Sequence, residues 1–296
     1  MSYLIGVHYG HNATVCVMRD GDVIFYQSEE RFNRLKNSTG FPEKTLEYVY
    51  NNICDEASVK YLAFSQNTLG GYRFMKRSNF ESRQYGHYLS PEDVLSGFLN
   101  TNGIRWALSQ FVQKRIKDKN KKDAEDAKKY FMAQTGLNEE QLVYVDHHTC
   151  HALSAVPLVA PSNKQYLVFT ADAVGDYISS TVSTIKNANL TWLSRDGHEN
   201  SLGYFYSAIT SLLGMKAGEH EFKVMGLAPY SNAKYFEPIY RKLKKLLTIG
   251  DDGSFKSAIN PNQLHDELDK IIKHQRFDNV AGAVQMLTES LLKEWI

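Results

Sequence analysis

Apolar residues come in short, β-rich runs near the start of the chain, set apart by polar turn formers. Tyr3 to Tyr9, Ala13 to Met18 and Val23 to Gln27 are three such runs, separated by Gly10-His11-Asn12 and by Asp20-Gly21. They predict a three-stranded meander. Pro42 then stands where a first helical turn accepts proline, and Leu46, Val49, Tyr50 and Ile53 recur at helical spacing, which predicts a helix. Tyr61 to Phe64 reads as a strand. Residues from Pro91 to about Gly136 read as helical with interruptions at Asn100, Asn102 and Gly103, Leu142 to Val145 as a strand, and His147 to Ala155 as a helix. The first half therefore has the order βββαβαβα.

A second cycle begins after Pro161. Gln165 to Thr170 is a buried strand that ends on the turn Asp172 to Asp176; strands at Tyr177 to Ile185 and Leu190 to Leu193 and a helix at Ser201 to Leu213 follow. The βββα order is repeated although the letters are not. Such a duplication predicts an α/β, ribonuclease H-like (actin/sugar-kinase-like) two-lobe fold, with lobes at 1–160 and 161–296 and two equivalent turns facing a cleft. Asp278 is expected to cap a last helix whose Val280, Val284, Leu287, Leu291 and Trp295 form one stripe. That helix carries no C-terminal capping signal, so the second lobe is expected to be incomplete, its remaining strands lying in a longer protein or on a partner chain.

Composition narrows the classes. With 296 residues and 43% apolar content, the chain can bury one large core or two ordinary ones. Its 34 Lys+Arg against 33 Asp+Glu leave no global attraction to nucleic acid or anionic lipid. No run approaches the ~18 apolar residues of a membrane span, and Met1-Ser2-Tyr3-Leu4-Ile5 has no basic region or apolar signal core, so a cytoplasmic protein is expected. Cys16, Cys54 and Cys150 have no CxxC spacing, which argues against a disulfide framework or a thiolate zinc site.

The candidate chemistry sits in three clusters. In Asp146-His147-His148-Thr149-Cys150-His151, a helix would put His147 and His151 on one face, where two neutral imidazoles can address one metal ion; capping and core-edge histidines are the plainer reading. Asp172 could complete a 2-His-1-carboxylate set suited to divalent iron, zinc or manganese, or could simply form a turn. In Gly10-His11-Asn12-Ala13, backbone N–H groups of a tight turn can cradle a phosphate or carbamoyl oxygen while His11 moves a proton, unless this is an ordinary hairpin turn. Gly175 would let backbone approach a ligand in the equivalent turn of the second repeat. From Glu219 to Tyr230 charged, apolar and small residues mix without helical or strand period, predicting a loop in which Lys223 either neutralises a phosphate or is a surface lysine. Two further stretches, the basic Lys114 to Lys129 and the Arg- and aromatic-rich Gly70 to Tyr88, read as a solvated helix face and as a surface loop or acceptor-binding insertion.

Four strings together resemble the O-carbamoyltransferases of the nodulation-factor, cephamycin and nebramycin type, relatives in fold of the tRNA threonylcarbamoyl-transfer enzymes. They are Gly6 to Ala13 (GVHYGHNA), Ser28 to Lys36 (SEERFNRLK) with Gly40-Phe41-Pro42, His147 to Ala152 (HHTCHA), and Phe222 to Tyr230 (FKVMGLAPY). The resemblance implies two-step chemistry. A carbamoyladenylate made from carbamoyl phosphate and ATP on a separate C-terminal part is passed, at a divalent metal, to the hydroxyl of a small-molecule or sugar acceptor. Carried over, His147, His151 and Asp172 are metal ligands and His11 is the group nearest the transferring carbamoyl, while Gly10, Asn12, Gly175 and Lys223 stay the cofactor-binding candidates read from the residues themselves. Composition and charge lead to the expectation of no membrane and no nucleic-acid partner, and a homo-oligomer is one option. The second-repeat turn departs from the family's DGxGE: this chain has Asp172-Ala173-Val174-Gly175-Asp176. The alternatives are a tRNA threonylcarbamoyl-transfer protein and a non-catalytic nucleotide-binding or scaffold chain.

Overall fold

A computed structural model describes residues 2–67, 122, 124–155, 164–187 and 189–296. The Gly70 to Tyr88 stretch and most of the basic run from Lys114 lie outside them. The chain is a mixed α/β structure of two compact units, Met1–Cys150 and His151–Ile296.

In the first unit, β1 (Tyr3–His8), β2 (Thr14–Arg19) and β3 (Asp22–Ser28) form the expected meander, followed by a short α1 (Glu30–Asn33) and by α2 (Glu43–Asn52). β4 (Val59–Phe64), helix α3 (residues 124–135) and β5 (Leu142–Tyr144) complete it. The sheet order is β3-β2-β1-β4-β5. β1 pairs antiparallel with β2 but parallel with β4, which pairs parallel with β5. Strand alternation sends Ile5, Val7, Val15, Val17, Leu62 and Phe64 to one face, where they pack with Leu46 and Val49 of α2 and with Ala127 and Phe131 of α3. Gly6, His8, Cys16 and Tyr26 are left on the other. Because β1, β4 and β5 run the same way, their C-terminal ends lie together at one edge, where open α/β sheets place their ligands.

Helix α4 spans His147–Ser154. In the second unit, β6 (Tyr166–Gly175), β7 (Ile178–Lys186) and β8 (Asn189–Gly197) make an antiparallel sheet of order β6-β7-β8. They are followed by α5 (Leu202–Leu212), α6 (Glu221–Leu227), α7 (Ala233–Leu243), the hairpin β9 (Leu247–Ile249) and β10 (Phe255–Ser257), α8 (Leu264–Ile272) and α9 (Phe277–Trp295). The stripe Val280, Val284, Leu287, Leu291 and Trp295 is buried and centres the core. Buried Asp196 fixes the hairpin to the sheet: its Oδ2 accepts from Ser180 Oγ at 2.8 Å and from the backbone N–H of Phe255 at 3.0 Å.

Three expectations are corrected. β6 does not stop at Thr170: it runs on to Gly175 through an irregularity, and the chain reverses at Asp176 and Tyr177, whose φ of 52° and 66° make the two-residue turn. The stretch from Glu219 is not a loop, since Glu221–Leu227 is helical. Only Val224 in it is buried, while Phe222 and Met225 face outward, and this erases the apolar period that marks a helix. Asp278 lies inside the first turn of α9 rather than capping it. Its carboxylate takes a two-pronged bond from Arg276, at 3.2 and 2.7 Å, and that bond holds it below the usual carboxylate range.

Candidate functional site

β5 runs directly into α4 because Asp146 caps the helix: its Oδ1 accepts from the backbone N–H of Thr149 at 2.9 Å and from Thr149 Oγ1 at 3.1 Å. Helical rotation then puts His147 and His151 one turn apart on one face, and turns His148 into fully buried surroundings. His147 is partly exposed and His151 half exposed.

Asp172 reaches the same place from a bulge. β6 and β7 pair Ala171 with Ser180 and resume with Gly175 and Ile178, so Asp172, Ala173 and Val174 bow out of the ladder. The start of α5 grips this bow. Ser201 Oγ donates to the carbonyl of Ala173 at 2.7 Å and accepts from the backbone N–H of Tyr204 at 2.9 Å, capping the helix while tying it to the bulge. Gly203 is required at the contact, because a Cβ there would lie 2.6 Å from Ala173 Cα. His151 Nε2 stands 3.6 Å from Asp172 Oδ2. One ligand atom from each of His147, His151 and Asp172 lies within 4.8 Å of the others.

The Gly10-His11-Asn12 turn is built by neighbours distant in sequence. The carbonyl of His11 can only accept, so His8 Nε2 carries the proton that bonds it at 3.1 Å, and His8 Nδ1 accepts from Ser65 Oγ at 2.7 Å. Gly10 is glycine because a Cβ would lie 2.7 Å from His8 Nε2. Asn12 adopts φ 59° and its Nδ2 donates to His11 Nδ1 at 3.3 Å. Two backbone bonds, Ala13 N–H to Ser38 O at 2.9 Å and Gly40 N–H to Tyr9 O at 3.2 Å, lace the turn to the 38–40 segment.

That segment is anchored by Glu29, the buried member of the SEERFNRLK string. Its carboxylate accepts from Thr45 Oγ1 at 2.6 Å, from the Thr45 N–H at 2.9 Å and from the Lys44 N–H at 3.3 Å, a negative charge set on the first turn of α2. Glu30 accepts from the N–H of Asn37 at 3.0 Å and pairs loosely with Arg31 at 3.9 Å. Part of the string is thereby explained as bracing.

An open pocket of about 520 Å³ lies over the outward face of the first unit's sheet. Gly6 and Cys16 form its floor. Tyr26, His8, His11, Asn12 and Ser65 stand around it, and Cys150 of α4 reaches it. Burial pushes the Cys16 thiol up, so it is a neutral surface. Gly10 is not among the described lining residues. Gly175 is buried beside the Asp176-Tyr177 turn, and Lys223 is exposed on α6 with its Nζ 5.8 Å from the centroid of the Phe222 ring. A separate close backbone approach is made by Gly203, against Ala173. The sequence alone assigns no role to His8, Ser65 or Glu29, whose partners lie 57 and 16 residues away.

A family model described as Carbamoyltransferase N-terminus matches residues 3–294. An uncharacterised protein of Synechocystis is 25% identical over 296 residues, 99% of this chain and 44% of the relative. Nodulation protein NolNO of Sinorhizobium fredii is 24% identical over 257 residues, 86% of this chain and 33% of its own length. Nodulation protein NolO of Bradyrhizobium diazoefficiens is 33% identical over 122 residues, 41% of this chain and 22% of its own. The chain spans less than half the length of these relatives.

Proposed function

This chain belongs to the carbamoyltransferase N-terminal family, and on that premise we propose that it carries the step in which a carbamoyl group passes from carbamoyladenylate to the hydroxyl of a small-molecule or sugar acceptor. The adenylate is supplied from carbamoyl phosphate and ATP by chemistry outside these residues, in the cytoplasm. Among the described residues no helix is long and apolar enough to cross a membrane. The fold reading is a duplicated ribonuclease H-like one. It is supported by the β3-β2-β1-β4-β5 order, with β1, β4 and β5 parallel, and by the recurrence of βββα at β6, β7, β8 and α5.

The observation that carries the proposal is the convergence of His147, His151 and Asp172 within 4.8 Å. Ligands about 2.0–2.2 Å from one ion stand roughly 3–4 Å apart, so small side-chain rotations close this set on a divalent cation, iron first and zinc or manganese after it. A cation held there would polarise a carbamoyl oxygen or fix an adenylate phosphate. His11 serves the acceptor. Its Nδ1 takes a long 3.3 Å contact from Asn12 Nδ2, which an incoming hydroxyl displaces. Nδ1 then takes the hydroxyl proton as that oxygen bonds to the carbamoyl carbon, and AMP departs with the electron pair of the broken bond.

The test supplies carbamoyladenylate and an acceptor to the chain and follows AMP release with formation of the carbamoylated product. Release should require a divalent cation and fall about 10²–10⁴-fold in His11→Ala. AMP release at an unchanged rate in that variant would overturn the role given to His11, and cation-independent transfer would overturn the role of the triad.

A further inference from the structure

The His11 side chain is exposed, and the firm contacts around it are made to the backbone of its turn. The ring itself meets Asn12 Nδ2 at 3.3 Å and the His8 ring edge-on, with centroids 6.1 Å apart. An exposed side chain changes rotamer freely, so its aim depends on how well its main chain is held. Two successive carbonyls of the turn are held: His8 Nε2–H donates to that of His11 at 3.1 Å, and Thr14 Oγ1 donates to that of Asn12 at 2.6 Å.

Thr14 belongs to the same hairpin, but His8 takes its orders from another strand. Ser65 follows β4 directly, and its N–H donates to the carbonyl of Val7 at 3.2 Å, so the parallel pairing of β1 with β4 decides where its hydroxyl stands. That hydroxyl, 2.7 Å from His8 Nδ1, donates to it, because a neutral ring with its proton on Nε2 offers only a lone pair at Nδ1. The bond made by one ring nitrogen sets the proton on the other. With the proton on Nδ1, a lone pair would face the His11 carbonyl and the link would be lost. Gly10 makes room for the ring. Its φ is not positive, so its backbone does not call for glycine, yet a Cβ there would lie 2.7 Å from His8 Nε2 and 2.8 Å from Cε1.

We propose that His8, with its tautomer set by Ser65, is a positioning residue of the transfer step, and that Gly10 is glycine to admit it. His8 acts through the His11 carbonyl, keeping His11 Nδ1 aimed at the acceptor hydroxyl, and moves no proton itself. The catalytic consequence rests on the transfer reading; the tautomer and the Gly10 contact do not.

The experiment has two arms. In the whole chain labelled with ¹⁵N-histidine, at about pH 8, above the usual imidazole range, long-range ¹H–¹⁵N spectra should show His8 as the Nε2–H tautomer, and Ser65→Ala should show a mixture of the two. In transfer from carbamoyladenylate, His8→Phe keeps the bulk of the ring without its nitrogens, and kcat should fall about 10²-fold, the loss a ~1 Å misplacement causes, while KM for the acceptor changes little. His8→Gln, whose amide nitrogen reaches the place of Nε2, should recover most of that loss. Gly10→Ala should slow transfer in the otherwise unsubstituted chain and cost nothing further in His8→Ala, where the ring it strikes is gone. The proposal is overturned by an Nδ1–H tautomer at His8, by an unchanged kcat in His8→Phe, by a Gln variant no faster than the Phe variant, or by a Gly10→Ala cost that persists without the ring. Transfer at full rate in His11→Ala would instead fault the transfer reading, with the tautomer and the Gly10 contact left standing.

Discussion

The two β-hairpin regions that follow β1 and β6 start from the same strand order and present their polar side chains by opposite means. After β1 the strand stops at His8, and the turn itself carries His11, held by His8 from within and by the 38–40 segment from outside. After β6 the strand does not stop. Asp172 leaves the ladder in a bulge, and the reversal follows at Asp176 and Tyr177, which carry none of the triad. In the first region the turn itself carries the candidate residue His11 and is stiffened from both sides. In the second the turn is only a connection, and rigidity is concentrated where Ser201 and Gly203 of the α5 start meet the bulge.

Three substitutions separate these designs. The largest effect is expected from His151→Ala, which removes an inner ligand of the proposed cation set. Its loss of Mn²⁺ or Fe²⁺ affinity, by calorimetric titration, should exceed the ~10–100-fold typical of losing an outer-shell partner. Retained affinity would detach the bulge from metal chemistry. Next is Gly203→Ala: a methyl group forced against the Ala173 backbone should lower stability by about 1–3 kcal/mol in urea unfolding and weaken cation binding with it. A neutral outcome would mean that the bulge is not clamped. The smallest is Tyr177→Gly, which relieves a bulky residue from left-handed backbone and should raise stability by up to about 1 kcal/mol without touching cation affinity. A change in affinity there would show that the second turn is more than a connection.

What the sequence disclosed follows from how local each signal is. The meander, the histidine helix with its two imidazoles on one face, and the apolar stripe of α9 repeat over a few residues, and each reads directly. A bulge leaves no mark in hydrophobic pattern, which hides the full length of β6, and the outward Phe222 and Met225 of α6 cancel the period of a surface helix. His8 was unreadable as a turn brace. Its role exists only when β1 and β4, far apart in sequence, pair in parallel and bring Ser65 beside it. The family strings contain Glu29 and Gly10, and the reason for these residues is internal bracing that no local pattern encodes.

The buried carboxylate of Glu29 also bears on how the first unit opens. The amide of Glu29 bonds to the carbonyl of Ala13, the amide of Ala13 to the carbonyl of Ser38, the amide of Gly40 to the carbonyl of Tyr9, and the amide of Thr45 to Glu29 itself. These links close a ring running from the His11 turn to the first turn of α2. Breaking one leaves the others poorly placed, so the amides of Ala13, Glu29, Gly40 and Thr45 should exchange with solvent in a single opening event, and an exposed surface turn should inherit the slow exchange of a core helix.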